Sequence, residues 1–215
     1  MRKALTAAAA CAAALALPLS VAPAAHAEDS PPPDKIVIDV NTVNGSGCRA
    51  GTAAVATASD NTSFTVTYSD YLAQAGGTVN PTDFRKNCQL NLGVHIPQGF
   101  TYAIAGADYR GFAALQDGAT GLERASYYHQ GMSQTTPVSH TIKGSYADNW
   151  QFTDRTDIDE LVWKPCGEDR NFNINTELRV SPGSDGSKTS FMAFDSADGS
   201  VKTTYHFAWK RCPAA

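Results

Sequence analysis

Apolar and polar residues alternate with a period of two along the segments 88–96, 172–180 and 201–209 of the chain. In the first segment, for example, Leu90 falls on one face and Asn91 on the other. Successive side chains of a β-strand point to opposite faces, so this alternation predicts strands with one buried and one wet face. Such strands are typical of antiparallel sheets.

Weaker strand signals fill the rest of the chain, each bounded by Gly, Pro, Asn or Asp. They cover residues 36–43, 52–59, 64–68, 102–115, 125–132, 138–146, 150–153, 161–163 and 188–194. Helical periodicity is confined to one short turn near residues 81–86. About ten or more short strands with frequent turns predict a single-domain antiparallel β-sandwich, jelly-roll or Ig-like, with a β-barrel as the alternative.

The N-terminal 27 residues have the organisation of a signal peptide. Arg2 and Lys3 precede an apolar stretch that ends at Leu17, and residues 25–27 form a small-x-small cleavage site. We therefore predict a secreted protein with no membrane segment after cleavage. The remaining boundaries follow from composition: a disordered Pro-rich leader at 28–34, the sandwich domain at 35–212 and a short tail at 213–215.

Composition limits the classes of function. The chain has 215 residues, 17 Lys and Arg, 21 Asp and Glu, and 42% hydrophobic residues. Loss of Arg2 and Lys3 with the signal peptide leaves 15 basic and 21 acidic residues, a net charge of about −6. This balance disfavours nucleic acid and anionic membranes as partners, and the length allows one soluble domain.

Four cysteines remain after signal cleavage, and an even number behind an export signal predicts two disulfides. Three pairings are possible, and we favour Cys48–Cys88 with Cys166–Cys212 because each bridge then lies within one half of the chain. The sequence contains no Cys-x-x-Cys pair and no His at metal-ligand spacing beside a Cys, so we predict no metal and no cofactor.

Six short motifs follow one another in an order and spacing that resemble a known family. They are RKNCQLNL at 85–92, IPQGF at 96–100, DYRG at 108–111, LVWKPCG at 161–167, NINT at 173–176 and YHFAWKRC at 205–212. Together they resemble the secreted family catalogued as domain of unknown function 4360, over nearly all of residues 35–212. The resemblance implies a secreted, disulfide-bonded domain and assigns no catalytic residue.

Two of these motif regions concentrate groups that could bind a ligand. Charged and amide side chains on loops or strand edges of a rigid sandwich can recognise hydroxyls and carboxylates, and a tyrosine face can stack on a sugar ring. The alternative is that the charged groups pair with each other and the tyrosine lies in the core. The candidate ligand-binding residues are Asp83, Arg85, Asn87, Asp108, Tyr109 and Arg110.

Catalytic signals are weaker. The four histidines of the mature chain lie outside the usual mechanistic motifs, and two of them, His95 and His206, fall on polar strand faces. An acidic stretch with Asp154, Asp157, Asp159 and Glu160 could supply the two carboxylates of a glycosidase, but nothing in the sequence identifies the pair, and we interpret the stretch as a solvated loop.

The sequence therefore favours a non-catalytic extracellular binding or interaction module, directed at polysaccharide or cell envelope. One alternative is a secreted glycan-acting hydrolase that uses two carboxylates. Another is a structural or inhibitory domain that binds a second secreted protein. Two glycosylation sequons, at Asn44 and Asn61, lie in turn-like stretches.

Overall fold

The computed structural model describes residues 29–194 and 202–213. The predicted signal peptide and the start of the predicted strand at 201–209 lie outside this part of the chain. No helix within the described ranges has the length and apolar character needed to cross a membrane. The described strands are β1 (Val37–Asn44), β2 (Ala53–Thr57), β3 (Ser63–Tyr68), β4 (Leu72–Ala75), β5 (Arg85–His95), β6 (Phe100–Leu115), β7 (Thr120–His129), β8 (Val138–Lys143), β9 (Tyr146–Arg155), β10 (Phe172–Ser181), β11 (Ser190–Ala193) and β12 (Thr203–Arg211).

These strands form two antiparallel sheets. Sheet A has the order β1-β5-β10-β7-β8. Sheet B has the order β2-β3-β12-β6-β11-β4, and β9 pairs with β6 as well. The long strand β6 pairs with β9 along one edge, while β12 and β11 share the other edge. The predicted antiparallel sandwich is confirmed, and within the described residues neither sheet closes into a barrel.

The core lies between the sheets and follows the predicted alternation. Leu90 and Leu92 on sheet A are fully buried, as are Phe64 and Tyr205 on sheet B. Phe64 stacks on Tyr205 at 5.1 Å between ring centroids and meets Phe172 of the opposite sheet edge-on at 6.5 Å. Burial of each such large apolar side chain stabilises the fold by about 1.5–3 kcal/mol, an upper value because unfolded chains are partly compact.

Local strand structure departs from the sequence expectation in two places. Residues 72–75 form strand β4, which the alternation did not predict. Residues 161–163, predicted as a strand, have no strand structure and instead cover the outer face of sheet B, where Leu161 packs against Ala103 and Ala208. This segment runs into Pro165, which has no N–H to donate to a sheet ladder. It therefore adds a small third layer to the fold.

Both predicted disulfides are confirmed. Cys48 is bonded to Cys88 with 5.4 Å between the Cα atoms, and Cys166 is bonded to Cys212 with 5.8 Å. The first bridge ties the loop after β1 to the core face of β5. The second ties the segment before β10 to the end of β12.

The Pro-rich segment expected to be a disordered leader lies against the domain in residues 29–34. Asn61 holds it, because its Nδ2 donates to the carbonyls of Pro32 (2.9 Å) and Asp34 (2.8 Å) and its Oδ1 accepts from the N–H of Ile36 (3.3 Å). Asn61 has a left-handed backbone (φ 58°), which Asn tolerates better than most residues, and is 3% exposed. Its amide is therefore inaccessible to glycosylation in the folded protein.

Replacing Asn61 with Ala should lower the free energy of unfolding by about 2–4 kcal/mol, because three hydrogen bonds are lost and Ala disfavours the left-handed backbone. Chemical denaturation measures this loss. Asn61→Gly is the matched control, since Gly accepts the backbone conformation but also lacks the side chain. A Gly variant as stable as the wild type would show that the side-chain bonds contribute nothing.

Candidate functional site

A groove of about 450 Å³ opens between the two sheets, where β7 of sheet A faces β6 and β9 of sheet B. The loop between β7 and β8 and the short 3-10 turn at Ile158–Glu160 complete its walls. Most of the lining side chains carry a hydroxyl, amide or charged group. The lining residues are Tyr109, Ala125, Tyr127, Gln134, Thr135, Thr136, Val138, Asp154, Arg155, Thr156, Glu160 and Val162.

Asp154 is the best-positioned carboxylate of the groove. It lies on the inner face of β9, between the outward-facing Thr153 and Arg155. Its Oδ1 lies 2.7 Å from Nε2 of His140 on β8, and the two side chains are 16% and 23% exposed. The His140 ring stacks on Phe152 with 4.4 Å between centroids. The hydrogen bond and the stack together hold the carboxylate in one orientation.

Tyr127 and Thr135 shape the rim of the groove. The hydroxyl of Thr135 accepts a hydrogen bond from the Tyr127 N–H at 3.0 Å, and the Thr135 N–H donates to the Tyr127 carbonyl at 3.0 Å. The loop after β7 therefore folds back onto its own strand. The Tyr127 hydroxyl lies 3.3 Å from Oγ1 of Thr156. Burial and the charge of Asp154 raise the pKa of Tyr127, so its phenol remains a neutral hydrogen-bonding group.

Glu123 lies on the inner face of β7, on the same row as Ala125 and Tyr127 and two residues before Ala125. It is fully buried, and neither carboxyl oxygen has a hydrogen-bond partner among the described residues. Burial raises the pKa of Glu123 well above its usual value, and the charge of Asp154 raises it further. Burial therefore favours the neutral, protonated form of the Glu123 carboxyl.

A second polar cluster lies on the outer face of sheet B around Asp108. This carboxylate accepts a hydrogen bond from the Thr153 hydroxyl (2.6 Å), lies 2.6 Å from Nε2 of His206, and has Arg155 at 3.5 Å. Burial alone would raise the pKa of Asp108, but these hydrogen bonds and the Arg155 charge together lower it. The cluster satisfies its own polar groups on an open strand face.

The first group of sequence-predicted residues forms ion pairs on the sheet A side. Asp83 accepts from Nζ of Lys86 at 2.8 Å. Arg85 donates through Nε to Glu177 at 2.8 Å, and its guanidinium makes a further short contact with the same carboxylate. Burial would raise the pKa of Glu177, but the hydrogen bonds and charges of Arg85 and a second arginine, Arg179, lower it overall. These charges are thus paired within the fold.

The structure does not bring the six predicted residues to one site. Arg85 and Asn87 line a depression of about 300 Å³ on the outer face of sheet A. Asp108 lies on the outer face of sheet B, on the same alternating row of β6 as the exposed Arg110. Tyr109 faces the other way and is 1% exposed, so its ring presents no open face to a ligand in this structure. A ligand role for these residues stays a prediction.

Amide side chains form a ladder across the outer face of sheet A. Oδ1 of Asn91 accepts from Asn41 (3.1 Å) and Asn171 (3.0 Å), while its Nδ2 donates to Asn173 (2.8 Å). Because the central amide uses these atoms within the protein, it has little capacity left for a ligand. The inter-sheet groove is therefore the better candidate site.

The sequence drew attention to one acidic stretch that contributes to this groove, but it favoured a solvated loop there and did not predict the groove. The acidic stretch that it noted supplies Asp154 and Glu160, which both line the groove. Tyr127 and Thr135 carry no recognisable motif, and Glu123 interrupts an otherwise small and aromatic inner row of β7. That interruption, a charged residue at a core-facing position, is the signal that points to it.

Within the described ranges, no three His, Cys, Asp or Glu side chains converge as ligands for a metal ion. The fold and the groove define an all-β, disulfide-bonded sandwich domain with a polar cleft between its sheets. The chain belongs to the family described as "Domain of unknown function (DUF4360)", which matches residues 34–212.

Two further proteins are similar to this chain. An "Uncharacterized secreted protein" of Arthroderma benhamiae is 35% identical over 184 residues, which cover 86% of this chain and 75% of that protein. Secretion, predicted from the leader, agrees with the name of this relative. The solved enzymatically active domain of bacteriophage CBA120 tailspike protein 4 aligns with 83% of this chain at 10% identity and a TM-score of 0.26. The aligned part spans 19% of that chain, and a likeness at this level carries no argument.

Proposed function

We propose that the protein is a secreted, non-catalytic binding module that holds an extracellular polysaccharide in the groove between its sheets. The observation that carries the proposal is the groove itself, about 450 Å³ in volume and lined mostly by polar side chains. This volume lies within the usual range of ligand sites, roughly 300–1,000 Å³.

The chemistry of the lining suits a sugar. A pyranose presents hydroxyl groups around an apolar ring face, so its binding site needs donors, acceptors and an aromatic surface together. Thr136 and Gln134 supply exposed polar groups on one rim, and Asp154 supplies an oriented acceptor. Tyr127, which is half-buried, lines the same groove.

Replacing Gln134 and Thr136 together with Ala should weaken retention on the polysaccharide about tenfold, because two ligand hydrogen bonds are lost. Sedimentation with insoluble polysaccharides and cell-wall preparations measures retention. Both residues are exposed, so folding is not at risk. The matched control is Thr65→Ala with Thr67→Ala on the outer face of sheet B. No retention of the wild type on any preparation would refute the proposal.

The groove also favours a second candidate, a glycan hydrolase, because two carboxylates, Asp154 and Glu160, line one cleft. The same retention assay separates the two candidates if the supernatant is tested for new reducing ends. Release of reducing ends by the wild type would support the hydrolase, provided that Glu160→Gln loses this release but is still retained on the polysaccharide. That result would contradict the non-catalytic binding module.

A further inference from the structure

Three arginines surround a single carboxylate on the outer face of sheet A. Arg85 lies on β5, Arg124 on β7 and Arg179 on β10, and Glu177 is also on β10. In the strand register, Glu177 is directly opposite Arg124, and Arg179 is directly opposite Arg85. Glu177 is the one acidic side chain on the outward-facing rows of the described strands β5, β7 and β10. This surface is therefore positive, in a chain with a net charge of −4.

Glu177 neutralises two of the three guanidinium groups and leaves the third without a partner. It is 9% exposed, its Oε2 accepts from Nε of Arg85 at 2.8 Å, and its Oε1 accepts from Nη2 of Arg179 at 2.6 Å. Arg124 is exposed, and its side chain is in no ion pair or hydrogen bond within the described ranges. Like charges on neighbouring strands destabilise a sheet, so a bound anion would relieve the repulsion here.

A depression of about 300 Å³ adjoins Arg85 and Arg124, at the lower end of the usual range for ligand sites, roughly 300–1,000 Å³. Gln134 and Asn175 also line it, and neither side chain is hydrogen-bonded within residues 29–194 and 202–213. Each amide can both donate to and accept from a hydroxyl group. The described lining contains no aromatic or large aliphatic side chain, the kind of group that usually anchors a protein ligand.

We propose that this depression binds a carboxylate of an acidic glycan, with Arg124 and Arg85 as partners of the carboxylate and Gln134 and Asn175 as partners of neighbouring hydroxyls. A guanidinium group matches a carboxylate through two parallel N–H···O bonds. Glu177 acts as a positioning residue, because it holds the Arg85 guanidinium at the edge of the depression.

This inference goes beyond the proposed function, because it concerns a second site on the other face of sheet A. None of the three arginines lines the groove between the sheets. Gln134 lines both sites, so it stays unchanged in the test, and Thr136 lines the groove alone.

The test measures binding of two acidic tetrasaccharides, galacturonic acid tetramer and mannuronic acid tetramer, by isothermal titration calorimetry at neutral pH. The fully methyl-esterified form of each tetramer has the same sugar rings without the charge. At least one acidic tetramer should bind about tenfold tighter than its ester, since two partly screened ion pairs each add a few-fold in affinity. High salt should reduce this preference.

Arg124→Gln should lower affinity for the acidic tetramer several-fold and leave affinity for the ester unchanged. Arg124 is exposed and unbonded in the described structure, so this variant will fold. Arg124→Lys keeps the charge without the planar fork and should have an intermediate affinity. The matched control is Arg211→Gln, which removes an exposed arginine at the end of β12 in sheet B and should bind like the wild type.

Equal affinity for acid and ester, or binding of neither acidic tetramer, would overturn the proposed site. A preference for the acid that persists in Arg124→Gln would also overturn it, because the charge would then act elsewhere. Loss of the preference in Thr136→Ala would place the carboxylate in the groove and overturn the second site as well. Each of these results leaves the retention assay on the groove variants as a separate test of the proposed function.

Discussion

Relative to a Glu123→Gln variant, the wild-type protein should become progressively less stable as the pH rises above about 4.5. The cause is the buried carboxyl. Glu123 is fully enclosed, and burial raises the pKa of its carboxyl well above the ordinary value of 4.5. The unfolded chain ionises near that ordinary value, but the folded chain retains the proton.

The sign of the effect follows from proton linkage. Between the unfolded and folded pKa values of Glu123, the folded state binds more protons, so the free energy of unfolding falls as the pH rises. The limiting slope is about 1.4 kcal/mol per pH unit. Below about pH 4.5 both states are protonated, and the penalty disappears.

The groups that face Glu123 reinforce this behaviour. Apart from His140, the groups that interact electrostatically with Glu123 are one carboxylate and four phenols, and none of these is a cation. They are Asp154 of β9, Tyr109 of β6, Tyr68 of β3, Tyr71 before β4 and Tyr205 of β12, with His140 as its cross-strand neighbour on β8.

Urea unfolding of the wild type and of Glu123→Gln at several pH values between mild acid and mild alkali measures the effect. Other groups titrate with the opposite sign: burial lowers the pKa of His129 to about 4, so its contribution rises with pH. The difference between the two proteins cancels such terms and isolates Glu123. Glu168→Gln, at an exposed site, should follow the wild type. A difference that does not change with pH would contradict the prediction.

Loss of the Cys48–Cys88 bridge should destabilise the protein more than loss of Cys166–Cys212. The two bridges close loops of similar length, with sequence separations of 40 and 46, so chain entropy assigns each about 4 kcal/mol. The two bridges differ in how deeply their cysteines are buried. Cys48 and Cys88 are 1% and 2% exposed in the core, whereas Cys166 is exposed and Cys212 half-buried. Replacing the buried pair with Ala adds a cavity cost of about 1–2 kcal/mol.

Thermal unfolding of the two double-alanine variants measures the difference. For a domain of this size the larger loss corresponds to a fall in Tm of roughly 10–20 °C. Thiol titration of the wild type under denaturing conditions is the control, because it must find both bridges closed. Equal losses, or a larger loss for the exposed bridge, would show that burial of the sulfur atoms does not separate the two bridges.

Much of the fold could be predicted from the sequence because the alternation of apolar and polar residues within a single strand identifies its buried face. The alternation around Leu90 and Leu92 can be read without knowing which strands pair with β5, and both residues are buried as predicted. The disulfide pairing also followed from chain position. Strand β4 was missed because Leu72–Ala75 is short and because its strand structure depends on pairing with β11 in sheet B.

The sequence alone determined the class of the protein: an exported, twice disulfide-bonded, antiparallel all-β domain of a family without an assigned activity. Only the tertiary structure decided which polar residues meet. Asp154 and Tyr127 share a groove, while Arg85 and Asp108, both predicted to bind a ligand, lie on different sheets. The physical reason is that alternation specifies which side a residue faces, whereas the groove depends on how two sheets stack. That stacking is fixed by contacts between residues far apart in the chain.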